Sequence, residues 1–260
     1  MHLNHHRSGS GEPLVLLHGI GHRWQAWLPV IEPLAAHREV IAVDLPGFAG
    51  SSMPALGTPP GIESLTALVG EFLDELKLDR PHVAGNSLGG WISLELARQG
   101  RVASATALSP AGFHNRLEGI FQRSSLALAA KASRLIAPKA HRILARPGIR
   151  RLAFMQLAAH PERIPLSELV PVVRDLARAP WFDQTLAAIN RVPFSGGEQI
   201  TVPVTIAWGE RDHLLLPHQA KRAARAIPSA RILSLHGCGH VPIYDDPQQV
   251  TRVLLAGSSA

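Results

Sequence analysis

The sequence predicts an α/β protein with a mostly parallel, doubly wound sheet and an inserted helical segment. Short apolar runs rich in β-branched residues alternate with amphipathic stretches, which is the pattern of βα units that feed a parallel sheet. Most of these runs lack polar alternation, as expected of strands that helices cover on both faces. The 260 residues, of which 46% are hydrophobic and 18% charged, can fill the core of one large domain.

The elements follow one another along the chain in an order that suits such a sheet. Apolar runs predict strands at residues 14–17, 40–43, 82–84, 103–108, 204–208 and 231–235. Amphipathic spacing predicts helices at residues 24–36, 62–76, 88–98, 218–226 and 247–255. Ligands of parallel sheets collect beyond the carboxyl ends of the strands. The residues that directly follow each strand are therefore the candidates for a functional site.

Positive charge is concentrated in the middle third of the chain. The formal net charge is +6, and residues 113–198 hold 13 basic and 6 acidic residues. Ala, Leu and Arg recur there at helical spacing between several prolines, including Pro138, Pro147 and Pro171. We therefore expect short helices at 113–198, inserted into a core of residues 1–112 and 199–260.

The basic segment could attract an anionic substrate or a membrane surface, or it could be an ordinary solvated helical surface. Its basic residues are not interleaved with aromatic ones, so nucleic acid is not an expected partner. The single cysteine, Cys238, cannot form an intrachain disulfide. No signal peptide or membrane span is recognisable, so a cytoplasmic protein is expected. No metal or other cofactor is indicated, and neither is an oligomeric state.

The strand predicted at 82–84 leads into Gly85-Asn86-Ser87-Leu88-Gly89 and then a helix. Gly-x-Ser-x-Gly between a strand and a helix is the pattern of a nucleophile elbow, which holds the serine hydroxyl above the sheet. Gly85 and Gly89 are expected where neighbouring backbone approaches too closely for a Cβ. Ser87 is therefore the candidate nucleophile.

A serine hydroxyl needs a base, and the base needs an acid that fixes its tautomer. His240 follows the last predicted strand in a glycine-flanked loop, with His236 as the nearby rival. Asp212 follows the strand before it, with Glu210 as the alternative acid two residues earlier. Asp44 also follows a strand, but we expect it to organise a turn.

Backbone donors for a developing oxyanion are expected after the first predicted strand, in His18-Gly19-Ile20-Gly21. We expect the amides of Ile20 and Leu88 to form this oxyanion hole, each contributing about 3 to 4 kcal/mol in the transition state. His18 is interpreted as a structural residue that holds the loop.

These motifs resemble the α/β-hydrolase superfamily from about Leu14 to Leu255, and the order Ser87, Asp212, His240 is the order of that family. The resemblance implies an eight-stranded sheet, a helical cap, which the segment 113–198 matches, and acyl chemistry by a Ser-His-Asp triad. The amino end is short for the family, so one or two strands could be missing or reduced to residues 3–7.

The resemblance favours a carboxylesterase-like serine hydrolase that acts on a small acyl substrate. Asn86 beside Ser87 is similar to the elbow of hydrolases that cleave carbon–carbon bonds in ring-fission products, which gives the first alternative. A ligand-binding receptor that keeps the fold is the second. Ser87 in place of aspartate argues against haloalkane dehalogenases and epoxide hydrolases.

Substrate contacts are expected from Asn86 and from two aromatic residues of the cap, Trp181 and Phe182. Further apolar residues of the cap are weaker candidates for the pocket wall: Leu152, Phe154 and Met155.

Overall fold

The computed structural model describes residues 2–189 and 191–259, and a seven-stranded sheet forms the centre of that part of the chain. The strands are β1 (His5–Ser8), β2 (Pro13–Leu17), β3 (Glu39–Val43), β4 (His82–Asn86), β5 (Ser104–Leu108), β6 (Val204–Gly209) and β7 (Arg231–Leu235). They lie in the order β1-β3-β2-β4-β5-β6-β7. The pairing of β1 with β3 is antiparallel and all other pairings are parallel. The predicted α/β fold class is thereby confirmed.

Helices cover both faces of the sheet. The helices of the core are α1 (Leu28–Ala35), α2 (Ile62–Glu75), α3 (Leu88–Arg98), α9 (Gln219–Ala226) and α10 (Pro247–Gly257). Side chains of β2 alternate between two buried clusters: Val15 and Leu17 pack with α2 and α3, whereas Leu14 and Leu16 pack with α1 and α10. Successive side chains of a strand point to opposite faces, so a wholly apolar strand fills both layers.

The amino-terminal edge differs from the eight strands that the family resemblance implies. One strand, β1, precedes β2, and its register pairs His5 with Val43 and Ser8 with Val40. This strand overlaps residues 3–7, where a reduced strand was expected. Its polar sequence is tolerated because an edge strand is only partly buried.

The described chain between β5 and β6 is mainly helical, and we call this stretch the helical insertion. It contains α4 (Arg116–Ile136), α5 (Ala140–Leu144), α6 (Pro147–Phe154), α7 (Leu166–Arg178) and α8 (Phe182–Ile189). The expectation of short helices was wrong for α4, which runs for 21 residues from a capping box of Asn115 and Glu118. No proline interrupts it, and Pro171 lies inside α7 rather than between helices.

Two local differences bear on the site. The predicted helix at 24–36 is a 3-10 turn, Trp24–Trp27, followed by α1. Strand β4 continues two residues further than predicted, to Asn86, so the sheet leads directly into Ser87. Among the described residues, no helix combines the length and the apolar character that crossing a bilayer requires.

Candidate active site

Ser87 occupies the sharp turn between β4 and α3. Its backbone has φ 57° and ψ −113°, a conformation that costs a non-glycine residue about 1 to 3 kcal/mol. A Cβ on Gly85 would collide with the backbone of Gly89, and a Cβ on Gly89 would collide with the carbonyl of Leu17. The two glycines therefore allow the turn to close, as the sequence predicts.

His240 and Asp212 form a buried pair at the ends of β7 and β6. His240 Nδ1 lies 2.8 Å from Asp212 Oδ2, and the two side chains are 3% and 0% exposed. Asp212 Oδ1 accepts hydrogen bonds from the amides of Leu214 (2.9 Å) and Leu215 (2.8 Å). A carboxylate can only accept, so Nδ1 donates this bond, and in the neutral form of the ring the lone pair is on Nε2.

Ser87 and His240 line the same cavity, which has a volume of about 70 Å³. Within the described residues, neither the Ser87 hydroxyl nor His240 Nε2 has a hydrogen-bond partner. The structure therefore brings the predicted nucleophile, base and acid to one rim of the sheet. A hydrogen bond between nucleophile and base is often long without substrate and shortens once it binds.

The loop after β2 lies against Ser87. A Cβ on Gly19 would lie 3.3 Å from the Cβ of Ser87. Ile20, Ser87 and Leu88 line a second, smaller cavity of about 20 Å³. Neither the Ile20 amide nor the Leu88 amide donates a hydrogen bond to another described residue, so both are available to an oxyanion.

His18 anchors the loop after β2 through hydrogen bonds of both its ring nitrogens. Its Nε2 accepts a hydrogen bond from the Leu45 amide at 2.9 Å, and its Nδ1 donates to the Gly19 carbonyl at 2.7 Å. Burial lowers the pKa of His18, which keeps the ring in the neutral form that these two bonds require. The structural interpretation of His18 agrees with this geometry.

Asp44 organises the turn after β3, also as the sequence predicts. Its Oδ1 accepts from the Trp24 amide at 2.6 Å. Its Oδ2 accepts from the Asn4 side chain at 2.7 Å and from the Gly50 amide at 3.0 Å. Both carboxylate oxygens are therefore engaged away from Ser87.

The predicted substrate contacts lie in different places. Phe182 lines the larger cavity, whereas Trp181 lies with its ring against Gly47 and joins the helical insertion to the core. Asn86 also lines that cavity, but its amide donates to the carbonyls of Leu108 (3.1 Å) and His240 (2.8 Å). Its side-chain donors therefore hold the His240 loop.

Of the weaker candidates, Leu152 and Met155 are exposed and contribute nothing to the cavity at Ser87. Phe154 lines a neighbouring cavity of about 40 Å³.

His22 is a cavity residue that the sequence analysis missed. It lines the larger cavity beside Ser87, and its Nδ1 accepts from the Arg23 amide at 3.0 Å. Burial lowers the pKa of His22 to about 3, so the neutral ring carries its proton on Nε2. Its position directly after Gly19-Ile20-Gly21 is the signal that could have found it.

Asp245 was missed as well. This buried carboxylate accepts from the Gly239 amide at 2.8 Å, next to His240 in the chain. It also accepts from the amides of Ala159 (3.0 Å) and His160 (2.8 Å) in the helical insertion. Asp245 therefore ties the His240 loop to the insertion.

The two cavities around Ser87 are mainly apolar. The helical insertion forms much of their walls, through residues of α4, α7 and α8 and the stretch after α6: Gln122, Leu126, Ala129, Leu157, Val172, Leu176, Phe182, Leu186 and Ile189. Lysine and arginine are absent from the described residues that line either cavity. The described residues also contain no group of three or more His, Cys, Asp or Glu side chains placed to bind a metal ion.

This sheet order, with a serine elbow after β4 and an acid and a histidine after β6 and β7, defines an α/β-type hydrolase fold. The chain belongs to the alpha/beta hydrolase family, whose model matches residues 14–253.

Individual relatives share less than half of their residues with this chain over the matched regions. The chain is 32% identical over 187 residues to epoxide hydrolase EphH of Mycobacterium tuberculosis, covering 70% of this chain and 87% of that protein. Over 97 residues it is 43% identical to 2-hydroxy-6-oxo-2,4-heptadienoate hydrolase of Pseudomonas putida, covering 36% of this chain and 35% of the relative. The crystal structure of a membrane phospholipase A superposes with a TM-score of 0.77 at 22% identity, covering 99% of this chain and 87% of the other. At that identity the superposition shows a shared fold.

Proposed function

We propose that this hydrolase cleaves a carboxylic ester or a related acyl substrate through an acyl-enzyme intermediate on Ser87. The observation that carries the proposal is the buried 2.8 Å bond between Asp212 and His240 at the cavity that Ser87 also lines. The bond fixes the proton on His240 Nδ1 and leaves Nε2 able to accept the serine proton. A serine hydroxyl is a weak nucleophile unless an adjacent base takes its proton.

In the acylation half-reaction, Ser87 Oγ bonds to the carbonyl carbon while its proton passes to His240 Nε2. The carbonyl π electrons move onto oxygen, and the amides of Ile20 and Leu88 stabilise the charge. The tetrahedral intermediate then re-forms its carbonyl and breaks the bond to the alkoxy oxygen, which takes the proton from Nε2. An alcohol leaves, and the acyl group remains on Ser87.

Water reverses the sequence in the second half-reaction. His240 Nε2 takes a proton from the water as its oxygen bonds to the acyl carbon. Collapse of the second tetrahedral intermediate breaks the bond to Ser87 Oγ, which recovers its proton from His240. The products are a carboxylic acid and the free enzyme, with atoms and charge balanced.

The helical insertion acts in this proposal as a cap that determines which acyl groups fit. Its residues wall both cavities, and an ion pair from Arg23 to Asp175 of α7 (3.1 Å) joins it to the loop that carries Ile20. The two cavities meet at Ser87 and total less than 100 Å³, so we expect short acyl chains to be accepted better than long ones.

A fluorophosphonate probe tests the nucleophile. The intact protein should gain one adduct by mass spectrometry, and peptide mapping should place it on Ser87. Ser87→Ala should remain unlabelled while keeping the wild-type melting temperature within a few degrees. Folded wild-type protein that stays unlabelled, or that is labelled at another serine, would contradict the proposal.

A panel of p-nitrophenyl esters from acetate to decanoate tests the acyl preference. We expect kcat/KM to be highest for the two- to four-carbon acyl groups and to fall by about tenfold or more for the longest chains. Ser87→Ala provides the background rate for each ester.

A second candidate is hydrolysis of a carbon–carbon bond in a ring-fission acid. The 43% identity to the Pseudomonas putida hydrolase over 97 residues favours it, as does the Asn86-Ser87 pair. The absence of lysine and arginine from the described cavity lining argues against it, because such a substrate brings a carboxylate. Turnover of ring-fission acids with no turnover of simple esters would make this candidate the function.

Epoxide hydrolysis, the activity named for the 32% identical relative, suits this elbow less well. A carboxylate nucleophile opens an epoxide to an ester that water can cleave. Ser87 would form an ether, which the same residues could not hydrolyse. A styrene oxide assay should therefore show no turnover above that of Ser87→Ala.

A further inference from the structure

The outer side of α4 carries a row of exposed apolar side chains. Leu117, Phe121, Leu128 and Leu135 recur at helical spacing, so they lie along one side of this 21-residue helix, about 30 Å in length. They are between 47% and 82% exposed. A row of this length on a surface helix is unusual, because isolated exposed apolar residues are the norm.

Two further exposed apolar side chains belong to a neighbouring helix and its end. Leu152 of α6 and Met155 directly after it are 74% and 52% exposed. Gln156 Nε2 donates to Ser125 Oγ at 3.1 Å, which holds the end of α6 beside the middle of α4. We define the outer apolar face as Leu117, Phe121, Leu128, Leu135, Leu152 and Met155.

The segment that carries this face is strongly basic. Residues 116–151 contain nine basic residues and one acidic residue, Glu118. Glu118 is turned towards the core, where it pairs with Arg222 and His218. In the described part of the chain, Arg134 is the one basic residue of these nine that forms an ion pair, with Asp183. The face therefore combines apolar side chains with uncompensated positive charge.

The combination of apolar side chains and positive charge favours one kind of binding partner over others. A second copy of this chain, paired through the same face, would bring two strongly basic segments together, which opposes association. A small anionic ligand would satisfy the charges but would leave the long apolar row in water. An anionic bilayer offers acidic headgroups for the arginines and an acyl boundary for the leucines, the two components that interfacial helices use.

We propose that the outer apolar face docks on the surface of an anionic lipid bilayer, with α4 and α6 lying in the plane of the interface. The opposite side of α4 carries Gln122, Leu126 and Ala129, which line the cavities at Ser87. Ala129, which is exposed, is thus a residue of both the surface and the wall of the larger cavity. Docking therefore places α4 between the lipid and the candidate active site.

Vesicle flotation tests the proposal with the full chain. Vesicles of phosphatidylcholine alone are compared with vesicles that also contain phosphatidylglycerol. We expect binding to the anionic vesicles and weaker binding when salt is added, because screening weakens attraction to the headgroups. The double variant L117S/L128S should lower the partition coefficient by about fivefold or more.

Matched variants on the core provide the controls. Leu56 is fully exposed outside the face, so Leu56→Ser should bind as the wild type does. Lys131→Glu on α4 should reduce binding to anionic vesicles, whereas Arg225→Glu on α9 should not. Melting curves check that every variant is folded.

Three outcomes would overturn the proposal. The first is equal binding to both kinds of vesicle, or to neither. The second is unchanged binding by folded L117S/L128S. The third is a wild-type protein that is a dimer by light scattering and does not bind vesicles, together with a monomeric L117S/L128S variant. That result would make the face a contact between two copies of the chain.

Discussion

Two acid–histidine pairs join the same two loops of this protein, and they differ in nearly everything except distance. Asp212 and His240 approach to 2.8 Å, and so do Glu210 and His236. The first pair is almost wholly buried, whereas the side chains of Glu210 and His236 are 42% and 91% exposed. Distance by itself therefore does not identify the pair that can act on Ser87.

The difference lies in what surrounds each pair. Asp212 is fixed by two backbone amides, and His240 opens onto the cavity of Ser87. Glu210 accepts from Ser234 Oγ (2.9 Å) and the Gly237 amide (3.3 Å), and the bond from Ser234 is the leading cause of its lowered pKa. The exposed pair ties β7 and its following loop to the end of β6, while the buried pair has a fixed tautomer in a water-poor site.

Asp212→Asn should have the largest effect on turnover. The asparagine amide no longer holds the His240 proton on Nδ1, so the wrong tautomer, with the proton on Nε2, is favoured. We expect kcat to fall by about 10⁴-fold, because Nε2 can then no longer accept the serine proton. Ester hydrolysis by the purified variant measures this loss. A folded Asp212→Asn enzyme with more than a tenth of wild-type activity would remove the distinction between the two pairs.

Asp245→Asn should have an intermediate effect, since it alters the support of His240 rather than the pair itself. One carboxylate oxygen that accepts from backbone becomes an amide that donates, so the bonds to Gly239, Ala159 and His160 cannot all persist. We expect kcat to fall by about tenfold and the melting temperature to drop by a few degrees.

The neighbouring carboxylate gives the control for that experiment. Asp246 caps α10 by accepting from the Gln249 amide at 2.8 Å, and asparagine caps helices about equally well. Asp246→Asn should therefore retain wild-type activity. Equal losses in both variants would mean that Asp245 has no special role in positioning His240.

His22 tests whether burial alone makes a histidine important, because its Nδ1 partner is a backbone amide rather than a carboxylate. Its pKa is lowered to about 3 by burial, against about 6.5 in an unfolded chain. Between these values the unfolded chain binds a proton that the folded chain does not, so the free energy of unfolding falls as the pH drops from about 7 towards 3.

His22→Gln should therefore make the fall in melting temperature between pH 7 and pH 4 shallower. The variant lacks the group whose pKa differs by about 3 to 4 units between the folded and the unfolded chain. The exposed His37→Gln is the control and should leave the slope unchanged. Identical slopes for all three proteins would show that His22 is not the buried neutral group described above.

Glu210→Gln should have the smallest effect. The pair with His236 is exposed, and exposed ion pairs contribute about 0 to 1 kcal/mol. We expect kcat/KM within about twofold of the wild type and a melting temperature within a few degrees. A loss approaching that of Asp212→Asn would reverse the assignment of the two pairs.

The sequence predicted much of this site because its residues stand directly after strands. Ser87, Asp212 and His240 lie at strand ends, where parallel topology brings distant residues to one edge. The close approaches that require Gly85 and Gly89 were predictable for the same reason. Trp181, expected at the substrate, lies against Gly47 and does not line either cavity at Ser87, because helical periodicity shows that a residue is buried but not against which neighbour.

By itself, the sequence determined the fold class, the elbow and the candidates for acid and base, because these depend on local pattern and on chain order. The tertiary structure decided which acid–histidine pair is buried, that Asn86 and Asp245 hold the His240 loop, and that His22 faces the cavity. The hydrogen bonds of Asn86 and Asp245 to His240, Ala159 and His160 each join residues more than 80 positions apart in the chain. Side-chain spacing along a chain carries no information about such contacts until the sheet has fixed where the loops meet.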